Sequence, residues 1–439
     1  MKDSDRFAPV AYRAAIIHSL DDPSTAGLED SYQYYEDGLL VVADGHVVDI
    51  GQAEDVLARQ PIDLKTVNLG NKLITPGFID THIHYPQTGM IAAYGEQLLD
   101  WLNNYTFPEE KRFADPDYAR KVAVHFLDEL TRNGTTTALV FGTVHKESID
   151  VFFSEVEKRK MRMIAGKVLM DRNAPEDLTD TPESGYLDSK ELIERWHNKG
   201  RLHYAVTPRF APTSSREQLA LAGKLLEEYP DVYLHTHLSE NKNEIAWVEE
   251  LFPERKGYLD VYDHYGLLTK RSVFAHGVHL CDGECQRLAE QESAIAFCPT
   301  SNLFLGSGLF PLKRLENFGV KVGMGTDVGA GTSFSLLQTM SEAYKVMQLQ
   351  GDKLHPLKSL YQATLGGAKA LSLDDRIGNL APGKEADFVV LDLEATQLMK
   401  FRMEHAHNLE DRLFVLMTLG DDRVVSATYA YGEKVYLRE

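Results

Sequence analysis

The sequence predicts an α/β fold: a (β/α)8 barrel of the TIM type, with a small β domain formed by the N- and C-terminal segments. Three observations lead there. Strand-like and helix-like runs alternate through the middle of the 439 residues, as βα units on a parallel sheet do. The strand-like runs of that middle number eight, which suits a barrel of about 250 residues. Both ends are strand-rich and do not alternate. The predicted division is 1–75 with 380–439 as a small β-sandwich-like domain, and 76–379 as the barrel.

At the N-terminus, 11–20 reads as a strand. The apolar run Gly38-Leu39-Leu40-Val41-Val42 enters Ala43-Asp44-Gly45-His46 and leaves through Val47-Val48-Asp49-Ile50. Asp-Gly between two apolar runs is the strongest short hairpin signal. Val67 to Ile74 is a further strand. The C-terminus has the same style, with Asp387 to Leu391, Val424 to Tyr431, a turn at Gly432, and Lys434 to Leu437.

In the middle, strands are predicted at 77–83, 135–141, 162–169, 202–207, 232–237, 272–276, 294–298 and 320–325. Helices are predicted at 117–132, 146–160, 186–199, 214–229, 241–251, 282–292 and 333–349. A doubly wound open sheet is the competing fold. It normally carries a Gly-rich phosphate loop after an early strand, and none is visible. Two connections, 84–116 and 171–185, read as long loops, which on such a scaffold are often functional.

Composition narrows the function. With 66 acidic against 46 basic residues the net charge is −20, so nucleic-acid backbone binding is not expected. No run reaches the roughly 18 apolar residues that span a membrane. The charged start Met1-Lys2-Asp3-Ser4-Asp5-Arg6 leads into no signal-peptide core. Cys281, Cys285 and Cys298 are too few for a disulfide framework and are expected free, in a reducing compartment. A cytoplasmic protein is the expectation.

The chemistry sits in what the strand ends carry, because barrel enzymes place their sites at the C-terminal ends of the strands. The first strand ends in His82 and His84, which share a face because strand side chains repeat every two residues. The fifth ends in His235-Thr236-His237, the sixth in His276, and the eighth runs into Asp327. His82-x-His84 alone is a weak signal; convergence from four strand ends is a specific one. By period, either His235 or His237 can face the centre. Histidines with a carboxylate suit a Lewis-acidic metal that keeps a place for water and lowers its pKa from ~15.7 towards ~7. Glu240, three residues beyond His237, is placed to move protons. His203, His264 and His279 are expected at the surface or in packing. Lys167 suggests a carbamate bridge between two metals, but no second ligand set accompanies it, so a single metal is expected. The Cys-x-x-C of the cytidine-type zinc deaminases is absent.

The stretches GFIDTHIH, HTHLSE, FAHGVH, GMGTDVGAG and IGNLAPGKEADFVVLD resemble the amidohydrolase superfamily in its mononuclear deaminase branch. The stretches THIHYPQTGMIAAYGEQLLDWLNNYTFPEE, NGTTTALVFGTVH, AGKVLMDRNAP and VTPRFAPTSS are similar to its guanine deaminase family, in bacterial form. The resemblance covers nearly the whole chain.

It implies His82, His84, His237 and Asp327 as metal ligands, so it favours His237 over His235. It implies Glu240 as proton shuttle, His276 as a partner of the reacting oxygen, and Gln87, Arg209 and Phe210 at the substrate. The implied cofactor is one divalent ion, zinc with iron(II) as the alternative, and the implied assembly is a homodimer. The implied reaction is hydrolysis of guanine to xanthine and ammonia in purine catabolism or salvage. Metal-bound hydroxide would attack C2, Glu240 would protonate N3, and a second proton through Glu240 or Asp327 would release ammonia. The alternative is a deaminase or hydrolase of a related purine, pterin or triazine.

Overall fold

The computed structural model describes residues 8–95 and 97–439. It contains a parallel barrel and a separate mixed sheet made from the two chain ends. The mixed sheet uses β1 (Val10–Ser19), β2 (Tyr32–Ala43), β3 (His46–Gln52) and β4 (Lys65–Pro76) from the N-terminal side. The barrel strands are β5 (Phe78–His84), β6 (Thr135–Phe141), β7 (Arg162–Gly166), the short β8 (Val168–Leu169), β9 (Leu202–Pro208), β10 (Tyr233–Leu238), β11 (Ser272–His276), β12 (Ala294–Phe297) and β13 (Lys321–Met324). From the C-terminal side β14 (Phe388–Leu391), β15 (Val425–Ala430) and β16 (Glu433–Leu437) complete the mixed sheet.

That sheet is one hydrogen-bonded ladder, β16-β15-β14-β4-β1-β2-β3. The Asp44-Gly45 turn forms as expected: both residues have positive φ, 49° and 75°, and Ala43 pairs with His46 across it. Two left-handed residues match a tight hairpin to the right-handed strand twist, and Asp-Gly tolerates them. Tyr431 and Gly432 repeat the device between β15 and β16.

The barrel ladder runs β5-β6-β7-β9-β10-β11-β12-β13, with β8 beside β9. The sides of β5 and β13 are joined by other bonds. Thr81 Oγ1 donates to the Met324 carbonyl at 2.9 Å, and the Asp327 and His84 amides donate to the His82 and Val328 carbonyls, each at 2.9 Å. Asp80, fully buried, accepts from the Thr326 amide at 3.1 Å and its hydroxyl at 2.5 Å.

The predicted 162–169 strand is two pieces, interrupted at Lys167. The connection 84–116 is mostly helical turns, at Pro86–Met90, Leu98–Trp101, Leu102–Thr106, Phe107–Glu110 and Lys111–Ala114. Apolar side chains explain this: Leu98, Trp101, Leu102 and Phe107 are buried in one cluster with Phe141 and Phe210. The connection 171–185 is shortened by a helix that starts at Pro182, capped by Thr181. The C-terminal end is also less purely β than expected. Helices Gln397–Met403 and Leu409–Leu419 intervene between β14 and β15, and Phe414 packs on Tyr344 of the barrel helix Leu336–Leu349 at 4.9 Å between rings.

Arg162 of β7 and Arg201 pair with Glu385, and Arg201 also with Asp387, fastening the C-terminal segment to the barrel. The three cysteines are free. Among the described residues no helix is long and apolar enough to cross a membrane.

Candidate metal centre and active site

The strand ends converge as their positions in the barrel require. His82 and His84 come from β5, His237 from β10, His276 from the end of β11, and Asp327 from just beyond β13. His82 Nε2 and His84 Nε2 lie 3.2 Å apart, and His237 Nε2 is 3.3 Å from His84 Nε2. Asp327 Oδ1 is 3.1 Å from His82 Nε2 and 3.3 Å from His84 Nε2. His276 Nε2 stands 3.8 Å from Asp327 Oδ2. Ser239, His276 and Asp327 all have positive φ, at 48°, 74° and 52°. Such backbone is disfavoured for non-glycine residues and clusters at functional sites.

These residues fit a metal ion. His82, His84 and His237 offer nitrogens within 4.8 Å of one another, and so do His82 and His276 with a carboxylate oxygen of Asp327. Burial lowers the pKa of His84 to about 3 and those of His82 and His237 below the usual range, so the imidazoles are neutral and carry lone pairs. Burial opposes ionisation of Asp327, yet His82 and its hydrogen bonds hold it well below the carboxylate range. The outward nitrogens are held too. His237 Nδ1 is 2.7 Å from the Arg209 carbonyl, which can only accept, so Nε2 is left with the lone pair. His82 Nδ1 is 2.7 Å from His235 Nε2. His235 therefore stands behind His82, while His237 faces the cluster. Partners of this kind orient metal-binding histidines.

Glu240 is buried beside the cluster. Its Oε2 is 3.4 Å from His276 Nε2, and its Oε1 accepts from Ser307 Oγ at 3.1 Å. Burial and the negative Asp327 push its pKa up to about 8. His276 Nδ1 is fixed against Asn302 Oδ1 at 2.9 Å. Glu244 accepts from the Glu240 amide at 2.9 Å and from Tyr258 OH at 2.7 Å.

Gln87, Arg209, Phe210, Glu240, His276 and Asp327 line one cavity with the apolar side chains of Leu98, Trp101, Leu102, Leu305 and Ala330. A cavity of this kind, apolar with a few convergent polar groups, suits a small-molecule ligand. Lys167 is elsewhere: its Nζ pairs with Asp180 and the Val168 carbonyl. Of the histidines expected in packing, His203 is buried against Arg162 at 2.8 Å and His279 Nε2 is 2.8 Å from the Ser307 carbonyl.

Sequence reasoning missed Glu110, Asn302 and Ser307. Asn302 and Ser307 follow the predicted strand 294–298, whose end carries no histidine or carboxylate to draw attention. Glu110 sits in the helical connection, where an acidic pair after Pro108 looks like an ordinary solvated first turn.

Comparisons with known proteins agree with this architecture. The pattern of the Amidohydrolase family matches residues 73–435. The guanine deaminase of Escherichia coli (strain K12) is 57% identical over 423 residues, 96% of each chain. A solved E. coli guanine deaminase superimposes with TM-score 0.94 at 55% identity, covering 98% of this chain and 100% of that one. A guanine deaminase from C. acetobutylicum, solved with guanine bound in its active site, gives TM-score 0.88 at 30% identity, covering 98% and 100%. With the barrel, the histidine–aspartate rim and these matches in agreement, the chain belongs to the amidohydrolase family.

Proposed function

We propose that this chain hydrolyses guanine to xanthine and ammonia. The observation that carries the reading is the shared cavity, in which Gln87, Arg209 and Phe210 face the same space as Glu240, His276 and Asp327. The near full-length likeness to guanine deaminases, one of them solved with guanine in its active site, supports it.

In this reading His82, His84, His237 and Asp327 hold one divalent metal, zinc, with iron(II) as the alternative that the donor set also suits. When bound, the metal supplies a Lewis acid that makes a water nucleophilic at neutral pH. In the ionised form that a bound cation would favour, Glu240 would take the proton of that water and pass it to N3 of the purine, leaving C2 open to attack. His276, steadied by Asn302, hydrogen-bonds the attacking oxygen. The hydroxyl proton left on C2 would then pass through Glu240 or Asp327 to the amine, which leaves as ammonia while C2 becomes a carbonyl. Arg209 donates to O6, Gln87 reads the lactam edge, and Phe210 offers an aromatic face to the ring. Adenine presents an amine where Arg209 needs an acceptor, so buried donors are left unpaired.

The same proposal takes 1–75 with 380–439 as one folding unit and 76–379 as the other. It also takes a cytoplasmic homodimer acting in purine catabolism or salvage, a setting that the free cysteines suit. Sedimentation tests the dimer, and elemental analysis tests the metal. Incubation of metal-loaded protein with guanine must release equal amounts of xanthine and ammonia. Absence of turnover, or a preference in kcat/KM for another purine, pterin or triazine, overturns the reading.

A further inference from the structure

Glu110 is completely buried, and its carboxylate faces two side chains of the cavity wall. Arg209 Nη1 donates to its two oxygens at 3.0 and 2.8 Å, and Nη2 donates to Oε1 at 3.0 Å. Gln87 Nε2 donates to the same Oε1 at 3.4 Å. Three residues earlier, the Phe107 ring lies 5.4 Å from the Arg209 guanidinium carbon. Arg209 and Gln87 line the cavity; Glu110 stands behind them and does not. Among the described residues, Glu110 is the only carboxylate in an ion pair with Arg209.

We propose that Glu110 is a positioning residue that makes the Arg209–Gln87 edge electrically neutral, so that the site takes up uncharged guanine and lets anionic xanthine go. The inference rests on the guanine reading above. Hydrolysis replaces the C2 amine by a carbonyl, and the neighbouring ring N–H becomes acidic enough for xanthine to carry negative charge near neutral pH. Guanine is neutral under the same conditions. A guanidinium without a counter-charge would bind the product anion by charge-assisted hydrogen bonds, roughly twice as strong as neutral ones. Paired with Glu110, Arg209 still presents N–H donors to O6 but brings no net charge. The other ionisable groups of the wall are His84, His237, Glu240, Glu244, His276 and Asp327, and none of them is substituted in the comparison that follows.

The test is direct binding of xanthine and hypoxanthine to metal-loaded protein at mildly alkaline pH, where xanthine is an anion and hypoxanthine is neutral. Because binding is read without turnover, failure of guanine hydrolysis in the unaltered enzyme would sink the functional reading and leave this measurement independent. In Glu110→Gln the preference for xanthine over hypoxanthine should rise about tenfold or more. Glu110→Asp should keep the ratio of the unaltered protein. Arg209→Gln leaves Glu110 unbalanced, so its ratio should fall, and the double variant Glu110→Gln/Arg209→Gln should restore it. If Glu110→Gln does not fold, the last two variants carry the test. A ratio that is the same in Arg209→Gln and the double variant, or unchanged in a folded, metal-loaded Glu110→Gln, overturns the proposal.

Discussion

His82 Nδ1 meets His235 Nε2 at 2.7 Å, an imidazole held by an imidazole inside the barrel. If His82 binds metal through Nε2, its Nδ1 must carry the proton, and His235 Nε2 must accept it. His235 Nδ1 then carries a proton too, and it is buried with no hydrogen-bond partner. His235→Leu should therefore lose metal about 10–100-fold more readily, the usual effect of removing such a partner. His235→Gln keeps an acceptor and should retain most of the affinity. Competition with a chelator measures both, and equal retention in the two variants would remove His235 from the metal's support.

Glu240→Gln should keep the metal and lose turnover about 10²–10⁴-fold, the range typical of a positioned acid or base. Metal content and kcat measured on one preparation check this. A fully active Glu240→Gln would assign the proton transfers to another group.

Removing the metal should destabilise the fold. A ligand at 100 times its Kd adds ~2.7 kcal/mol to the native state. Thermal unfolding with and without chelator, followed by readdition of zinc, should show a reversible fall in Tm. No shift would mean that the ligand cluster is equally stable empty.

His18 makes a separate prediction about acid. It is 1% exposed, its Nε2 is 3.1 Å from Gln33 Oε1, and its Nδ1 accepts from the Leu380 amide at 3.4 Å. Both bonds together require the neutral ring. Burial lowers its pKa from 6.5 to about 4, so the unfolded chain takes up the proton first. Stability is thus intact above pH 6.5 and falls as the pH drops towards 4, by roughly 3 kcal/mol from this residue. Other buried histidines add to the slope, so the check is a difference. Urea unfolding of His18→Gln should depend less on pH in that window than the unaltered protein.

Much of this was legible in the residues. Period two placed His82 and His84 on one face, and the Asp44-Gly45 hairpin formed where its turn chemistry requires. Spacing left His235 and His237 equivalent, because both lie on the same side of β10. Their places along β10 separate them: His235 meets His82 Nδ1, while His237, two residues nearer the strand end, meets His84 Nε2. Glu110 was hidden for another reason. It meets Arg209 across 99 residues of sequence, from a short helix whose burial depends on neighbours from several strands. The helices at Gln397–Met403 and Leu409–Leu419 did carry signals, since Thr396 and Asn408 cap them. From the sequence, the strand-like runs on either side set the style of the whole segment, and no element is assigned to the residues between Leu391 and Val424.

The join between β5 and β13 has a consequence for how the molecule is assembled. Asp80 and Thr326 are bonded across 246 residues, and the proposed ligands His82, His84 and Asp327 flank the same join. A metal held there would act as a clasp between the first barrel strand to be synthesised and the last. The catalytic centre therefore cannot exist in a partly made chain. On the proposed ligand set it would come into being when the cylinder shuts, so a nascent chain of this protein should be inert until its barrel is complete.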